Sequence, residues 1–146
     1  MKKILLFFIT FVILSLFSHS TASAQVQVQI RAIRASNVEY GFDPSLKDIY
    51  TELGSLFSFT SYRLLREDNL NLTLNRPVPI PWRPERFMEF TLVGVYRNVV
   101  ELRIRVIRER MVILNTQIRL SPGRTVLIGG PRVREGVIIY ALYAHF

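Results

Sequence analysis

The chain has 146 residues, 49% of them apolar, with 19 basic residues against 11 acidic ones and a formal net charge of +8. It holds no cysteine and two histidines. That excludes a disulfide scaffold, a thiol nucleophile, a lipid anchor on an N-terminal cysteine and any cysteine-bearing metal site.

In chain order, Lys2 and Lys3 precede an apolar run, Ile4–Phe17, interrupted only by Thr10 and Ser15, and Ala22-Ser23-Ala24 follows. A short positive segment, an apolar centre and small residues two apart form the pattern of a secretory signal peptide, with cleavage expected after Ala24. The 14-residue run is short of the ~20 residues that span a bilayer as a helix. No transmembrane helix is expected in what remains. Residues 25–146 are expected to form one domain of 122 residues, placed in the periplasm or outside the cell. A chain of that length buries roughly two-thirds of its unfolded surface. Without Lys2 and Lys3 it carries 17 basic residues against 11 acids, a net +6, and every basic residue except Lys47 is arginine. The polyanions met outside a cytoplasm are anionic lipid and acidic glycan, so nucleic acid is not an expected partner.

Gln25–Ile33 alternates strictly, with Val26, Val28 and Ile30 inward and Gln27, Gln29 and Arg31 outward, as a half-buried strand requires. Asp43 and Pro44 open the one amphipathic helix, over 44–57: an acidic cap, then a proline where a missing N–H is harmless. Leu46, Ile49, Tyr50, Leu53, Leu56 and Phe57 form its apolar stripe, which must lie on a sheet. Phe59–Leu65 and Leu70–Leu74 read as strands around a Glu67-Asp68-Asn69 turn. Asn75–Arg86 holds prolines at 77, 79, 81 and 84 and is expected as a rigid loop or edge-protecting connection. Two readings of Trp82 stand. It forms an interaction rim for a partner with Arg83 and Arg86, or it tucks under the loop as a lid on the core.

Phe87–Tyr96 is the next strand, with Phe90 and Leu92 inward. Three strands in series follow over Val99–Gly130. Val100, Leu102, Ile104 and Val106 oppose Glu101, Arg103 and Arg105; Val112, Leu114, Thr116, Ile118 and Leu120 alternate with Asn115, Gln117 and Arg119. A Ser-Pro-Gly-Arg turn leads into Thr125–Ile128, which is expected to stop at Gly129-Gly130-Pro131. The last strand, Gly136–Ala144, is apolar on both faces, as in a central strand or one whose outer face meets the helix or another subunit. Eight strands and one helix give a mainly β fold, a single antiparallel sandwich or curled sheet.

Chemistry-bearing groups are sparse. His145 is the one histidine of 25–146, and the acid groups Asp43, Asp48 with Glu52 and Glu67 with Asp68 read as helix and turn surface. The glycines lack the spacing of a phosphate loop. No catalytic residue, metal or cofactor is expected; the enzymatic alternative is a hydrolase built from scattered carboxylates. Arg103, Arg105, Asn115, Gln117 and Arg119 are the candidate binding face, a basic strip for an anionic glycan or lipid surface if the two strands are neighbours.

Two segments resemble the secretins, outer-membrane pore proteins of secretion and pilus systems. Leu120-Ser-Pro-Gly-Arg-Thr-Val-Leu-Ile-Gly-Gly130 is similar to a secretin-core turn glycine, short apolar strand and Gly-Gly. Ser45–Leu64, a helix running into a strand, is similar to the periplasmic α/β modules that precede secretin pores. The resemblance implies a cell-envelope β domain related to such modules and no pore, because the chain is too short and lacks an amphipathic lip segment. The expectation is an exported, non-enzymatic envelope protein that docks to another envelope protein or to itself, within a secretion or surface-appendage assembly. The alternative is a binding module for an anionic ligand or glycan.

Overall fold

The computed structural model describes residues 25–83 and 85–146, so the expected signal peptide lies outside the described residues. The elements are β1 (Gln25–Ser36), β2 (Gly41–Phe42), a 3₁₀ segment (Pro44–Ile49), α1 (Tyr50–Leu56), β3 (Ser61–Thr73), β4 (Val78–Arg83), β5 (Arg86–Tyr96), β6 (Val99–Arg108), β7 (Met111–Leu120), β8 (Thr125–Val133) and β9 (Gly136–His145). They form two sheets, β2-β3-β1-β9-β8 and β4-β5-β6-β7, antiparallel throughout except at the two-residue β2–β3 pairing. The fold is therefore mainly β, as the alternating runs imply, with the two sheets packed as a sandwich.

The two inner faces supply one core. Val26, Val28, Ile30 and Ala32 of β1 and Ile138, Tyr140, Leu142 and Ala144 of β9 meet Phe90 and Leu92 of β5 and Val100, Leu102 and Ile104 of β6. A second, smaller core lies outside the first sheet. There Ile33, Ala35, Tyr62, Ile139 and Ala141 are covered by Leu46, Ile49 and Leu53. This cover explains why β9 is apolar on both faces: Ile138 and Tyr140 point between the sheets while Ile139 and Ala141 lie under the helical segment. No second subunit is needed to bury them.

Several expectations change. The helix is a 3₁₀ segment that passes into α1, and the change of winding takes Tyr50 and Leu56 off the buried stripe, to 59% and 65% exposure. The Glu67-Asp68-Asn69 turn does not form. Those residues continue β3, paired with Arg31, Ile30 and Gln29, because the long ladder with β1 overrides their turn preference. The proline-rich segment supplies a strand, β4, at a sheet edge, where outward Pro79 and Pro81 do not interrupt a second ladder while Val78 and Ile80 face inward. Finally, β8 runs through Gly129-Gly130-Pro131, with an irregularity in its ladder between Gly129 and Arg132.

Polar residues fix the helical segment to the sheet. The Asp43 carboxylate accepts from Ser45 N at 3.0 Å, Ser45 Oγ at 2.7 Å and Leu64 N at 3.1 Å. These bonds, the Ser45 hydroxyl first, hold its pKa below the usual carboxylate value. Arg31, expected in solvent, is 5% exposed. Its guanidinium makes a two-point contact with Asp48 at 2.8 and 2.7 Å, which lowers the Asp48 pKa. Tyr62 donates to Phe57 O at 2.9 Å and so holds the end of α1.

Candidate functional site

The edge strands β7 and β8 leave the common turn Ser121–Arg124 in different sheets. Each then carries an irregularity. Val106 pairs with Leu114 and Ile107 with Val112, which leaves Ile113 as an extra residue in β7. In β8 the register shifts between Gly129 and Arg132. Such bulges bend a strand and increase its local twist. A cleft of about 830 Å³ lies between the two edges at this end of the sandwich, within the usual size of a small-molecule site.

Its walls are apolar. Met88, Ile104, Val106 and Leu114 line one side and Ile128, Tyr140 and Leu142 the other. Trp82 of β4 stands edge-to-face on Tyr140, with ring centroids 5.8 Å apart and planes at 75°. Trp82 packs against the core, as the lid reading has it, and also lines the cleft. The Tyr140 ring lies over Gly130. A Cβ on Gly130 would sit 2.6 Å from Tyr140 Cε2 and 2.9 Å from Ile138 O, so the Gly-Gly that ends the expected strand makes room for an aromatic of the cleft. Burial pushes the Tyr140 phenol up to about 12.

The mouth is lined by four arginines, Arg86, Arg108, Arg132 and Arg134. Arg86 and Arg108 are directly opposite on β5 and β6, a like-charge pair that costs free energy in an antiparallel ladder. Arg108 reaches Glu109 at 3.6 Å; among the described residues Arg86, Arg132 and Arg134 enter no ion pair. Glu85, Glu109 and Glu135 adjoin these arginines in sequence, and Glu135 reaches Arg34 at 4.0 Å. Glu85, Glu109 and Arg110 hold left-handed φ values of 62°, 49° and 68°, and Glu109 N donates to Glu85 O at 2.9 Å. Non-glycine residues in this region carry strain, and here it is gathered beside the mouth. Among the described residues, no carboxylate or histidine side chain lines the cleft. Among the described residues, no three His, Asp or Glu side chains gather closely enough to hold a metal.

The sequence-derived face is assembled, but elsewhere. Arg103 pairs with Gln117, Arg105 with Asn115 and Glu101 with Arg119, so Arg103, Arg105, Asn115, Gln117 and Arg119 share the outer surface of the second sheet. Two of the arginines are matched by acids of that surface, Arg105 to Glu89 at 3.0 Å and Arg119 to Glu101 at 3.8 Å, which removes most of its positive field. Of the candidate rim, Trp82 and Arg86 line the cleft. Arg83 closes β4 opposite Arg86, and its side chain lies outside what the structure describes. Sequence reasoning missed Tyr140, Gly130, Arg108, Arg132 and Arg134. For the arginines, the Arg-x-Arg steps at 108–110 and 132–134, each at the end of an apolar strand, are the signal that could have found them.

Compared with known proteins, the chain matches no protein-family model, no curated protein and no solved structure.

Proposed function

We propose that this chain is an exported, non-catalytic binding module that holds one anionic amphiphile, an acyl chain ending in a carboxylate or phosphate, in the cleft between its sheets. One observation carries this: an apolar-walled cleft of about 830 Å³ opens through a mouth lined by four arginines, two of them facing each other. An anion between Arg86 and Arg108 turns their repulsion into attraction, and Arg forks suit carboxylate and phosphate oxygens. The apolar walls offer a tail burial. Export rests on the leader-like residues 1–24.

The size of the effect can be bounded. A dodecyl chain buried at ~0.8 kcal/mol per methylene gains roughly 10 kcal/mol. Association costs at least ~4 kcal/mol of lost motion, which leaves a Kd of tens of micromolar at best before any charge contribution. Docking to another envelope protein, the other expectation, loses its main motive, because β9 is covered on both faces within the chain.

Trp82 is the single tryptophan and lines the cleft, so its emission reports occupancy. Titration of the purified protein with lauric acid should give a saturable shift in the micromolar range, with dodecanol binding at least ~10-fold more weakly. Lysophosphatidylglycerol, titrated in parallel, separates a free carboxylate from a phosphate headgroup as the preferred anion. Arg86→Ser with Arg108→Ser should weaken both anions and leave dodecanol unchanged. A folded protein whose Trp82 emission responds to none of the three removes the proposal.

A further inference from the structure

The end of the β6–β7 hairpin carries four consecutive exposed apolar residues. Met111, Val112, Ile113 and Leu114 are 68%, 45%, 56% and 45% exposed. Neighbouring residues of a strand point to opposite faces, so exposure of all four means this end of the hairpin is covered on neither side. Ile113 and Leu114 also line the cleft, whereas Met111 and Val112 do not. Exposed arginines surround the tip: Arg108 and Arg110 stand on either side of Glu109 at its turn, Arg86 is beside Arg108 on β5, and Arg132 and Arg134 stand across the cleft mouth. Against these five stand Glu85, Glu109 and Glu135, so these eight side chains together carry two net positive charges.

We infer that this hairpin tip docks the protein on an anionic lipid bilayer, with Met111–Leu114 entering the interface and the arginines meeting lipid phosphates. An apolar tip ringed by basic side chains is the arrangement that binds anionic membrane surfaces. The charge pattern chooses this occupant over a second copy of the chain. Burying Met111–Leu114 against the same residues of a second copy would bring the same arginine cluster against itself, and the extra residue at Ile113 breaks the regular edge that strand addition uses. The inference goes beyond the cleft's ligand and does not depend on it. It does place the cleft mouth at a membrane surface.

The test is sedimentation of the full protein with vesicles of equimolar phosphatidylglycerol and phosphatidylcholine, compared with phosphatidylcholine alone. Two net positive charges, each worth about five-fold at an anionic surface, predict partitioning roughly 25-fold stronger on the mixed vesicles, falling as salt rises. Met111→Asp with Val112→Asp should lower it by about 100-fold or more, since each apolar side chain contributes roughly ten-fold. The double variant should still bind lauric acid with the parent affinity, because neither residue lines the cleft. Should it lose its far-ultraviolet circular dichroism, Arg110→Glu takes its place, with an expected loss of about 25-fold. Equal sedimentation on both vesicle types, or variants that sediment like the parent, overturns the inference. So does a parent that is dimeric without lipid and becomes monomeric with Met111→Asp. Vesicle binding without any lauric acid response leaves the inference standing and removes the cleft proposal alone.

Discussion

Gly130→Ala is the sharpest perturbation of the cleft, because one added methyl group has a single place to go. Its Cβ would lie 2.6 Å from Tyr140 Cε2 and 2.9 Å from the Ile138 carbonyl oxygen. The carbonyl is backbone of β9, which the ladder with β1 holds in place at Ile138, so the ring is the part that moves. Tyr140 is 6% exposed and packed on Trp82, and its open side is the cleft. Overpacking a core costs ~1–3 kcal/mol, and losing an edge-to-face aromatic pair adds ~0.5–1.5 kcal/mol. The expected destabilisation is therefore about 2–4 kcal/mol, or roughly 8–16 °C in Tm for a domain of this size. Thermal melts followed by circular dichroism measure the loss, and Trp82 emission, the chain's one indole signal, should shift to the red in the folded variant. In a Tyr140→Leu background the same substitution should cost at least ~1 kcal/mol less, because the atom it strikes has gone. Additive effects of the two substitutions, or a Gly130→Ala protein with the parent's melting point and emission, would refute this account of why a glycine stands there.

Gly136 holds φ at 154° in the β8–β9 turn, and a Cβ there would lie 1.9 Å from Ala35 O, so Gly136→Ala should unfold the protein or detach this hairpin, seen as loss of amide-exchange protection along β8. Leu53 is fully buried in the outer core, and Leu53→Ala should cost about 2–5 kcal/mol in urea unfolding; a cost below ~1 kcal/mol would mean the helical segment is not packed as described. Asp48→Asn leaves buried Arg31 without its anion and should cost about 1–2 kcal/mol at neutral pH, reduced from a fully buried pair because the Asp48 side chain is 61% exposed. The folded pKa of Asp48 is depressed, so its contribution is present above the ordinary carboxylate value and is lost as pH falls through the folded one. The difference between parent and Asp48→Asn should accordingly vanish in acid. Tyr140 is the opposite case: its folded value of about 12 lies above the ordinary 10.0, so its contribution is complete below pH 10 and is lost as pH rises toward 12. At ~1.4 kcal/mol per unit that amounts to about 3 kcal/mol, and an alkaline stability curve for Tyr140→Phe should lack this component.

Alternation placed β1, β5 and β6 and their inward residues, because a period of two has one structural meaning when every second side chain is apolar; in β7 it held up to the extra residue at Ile113, beyond which Val112, expected inward, pairs with Ile107 and is exposed. It failed where local chemistry and tertiary pairing disagree. Glu67, Asp68 and Asn69 favour a turn in isolation, but they gain a full ladder with β1, and Asp68 gains Arg66 at 2.6 Å. Pro79 and Pro81 argue against a strand until it is known to lie at an edge. The arginine strip of β6 and β7 was legible because neighbouring strands of a hairpin share a register. What cancels it is visible only in part: Glu101 belongs to that hairpin, but Glu89 comes from β5. The cleft was not legible at all. It is a property of two edges in different sheets, and no local pattern states that Leu114 and Ile128 stand across a gap instead of touching.

That gap makes sense of side chains the sandwich itself does not need. Where β7 and β8 leave their turn, Leu120 is fully buried and Ile118 packs on the core; toward the other end the strand keeps its apolar pattern but loses its cover. Collapse of the two edges would bury Ile113, Leu114 and Ile128, at a gain of ~1.5–3 kcal/mol for each side chain taken fully from water. It would also press Arg86 and Arg108 of one sheet against Arg132 and Arg134 of the other and strip their hydration, and an uncompensated buried charge costs more than several such side chains return. The arginines thus hold apart the walls that the hydrophobic effect would close. An anion at the mouth removes that opposition, and an apolar tail between the walls supplies the contacts the missing closure would have made. Both halves of the proposed ligand follow from the same conflict, and a neutral ligand or a purely ionic one resolves only half of it.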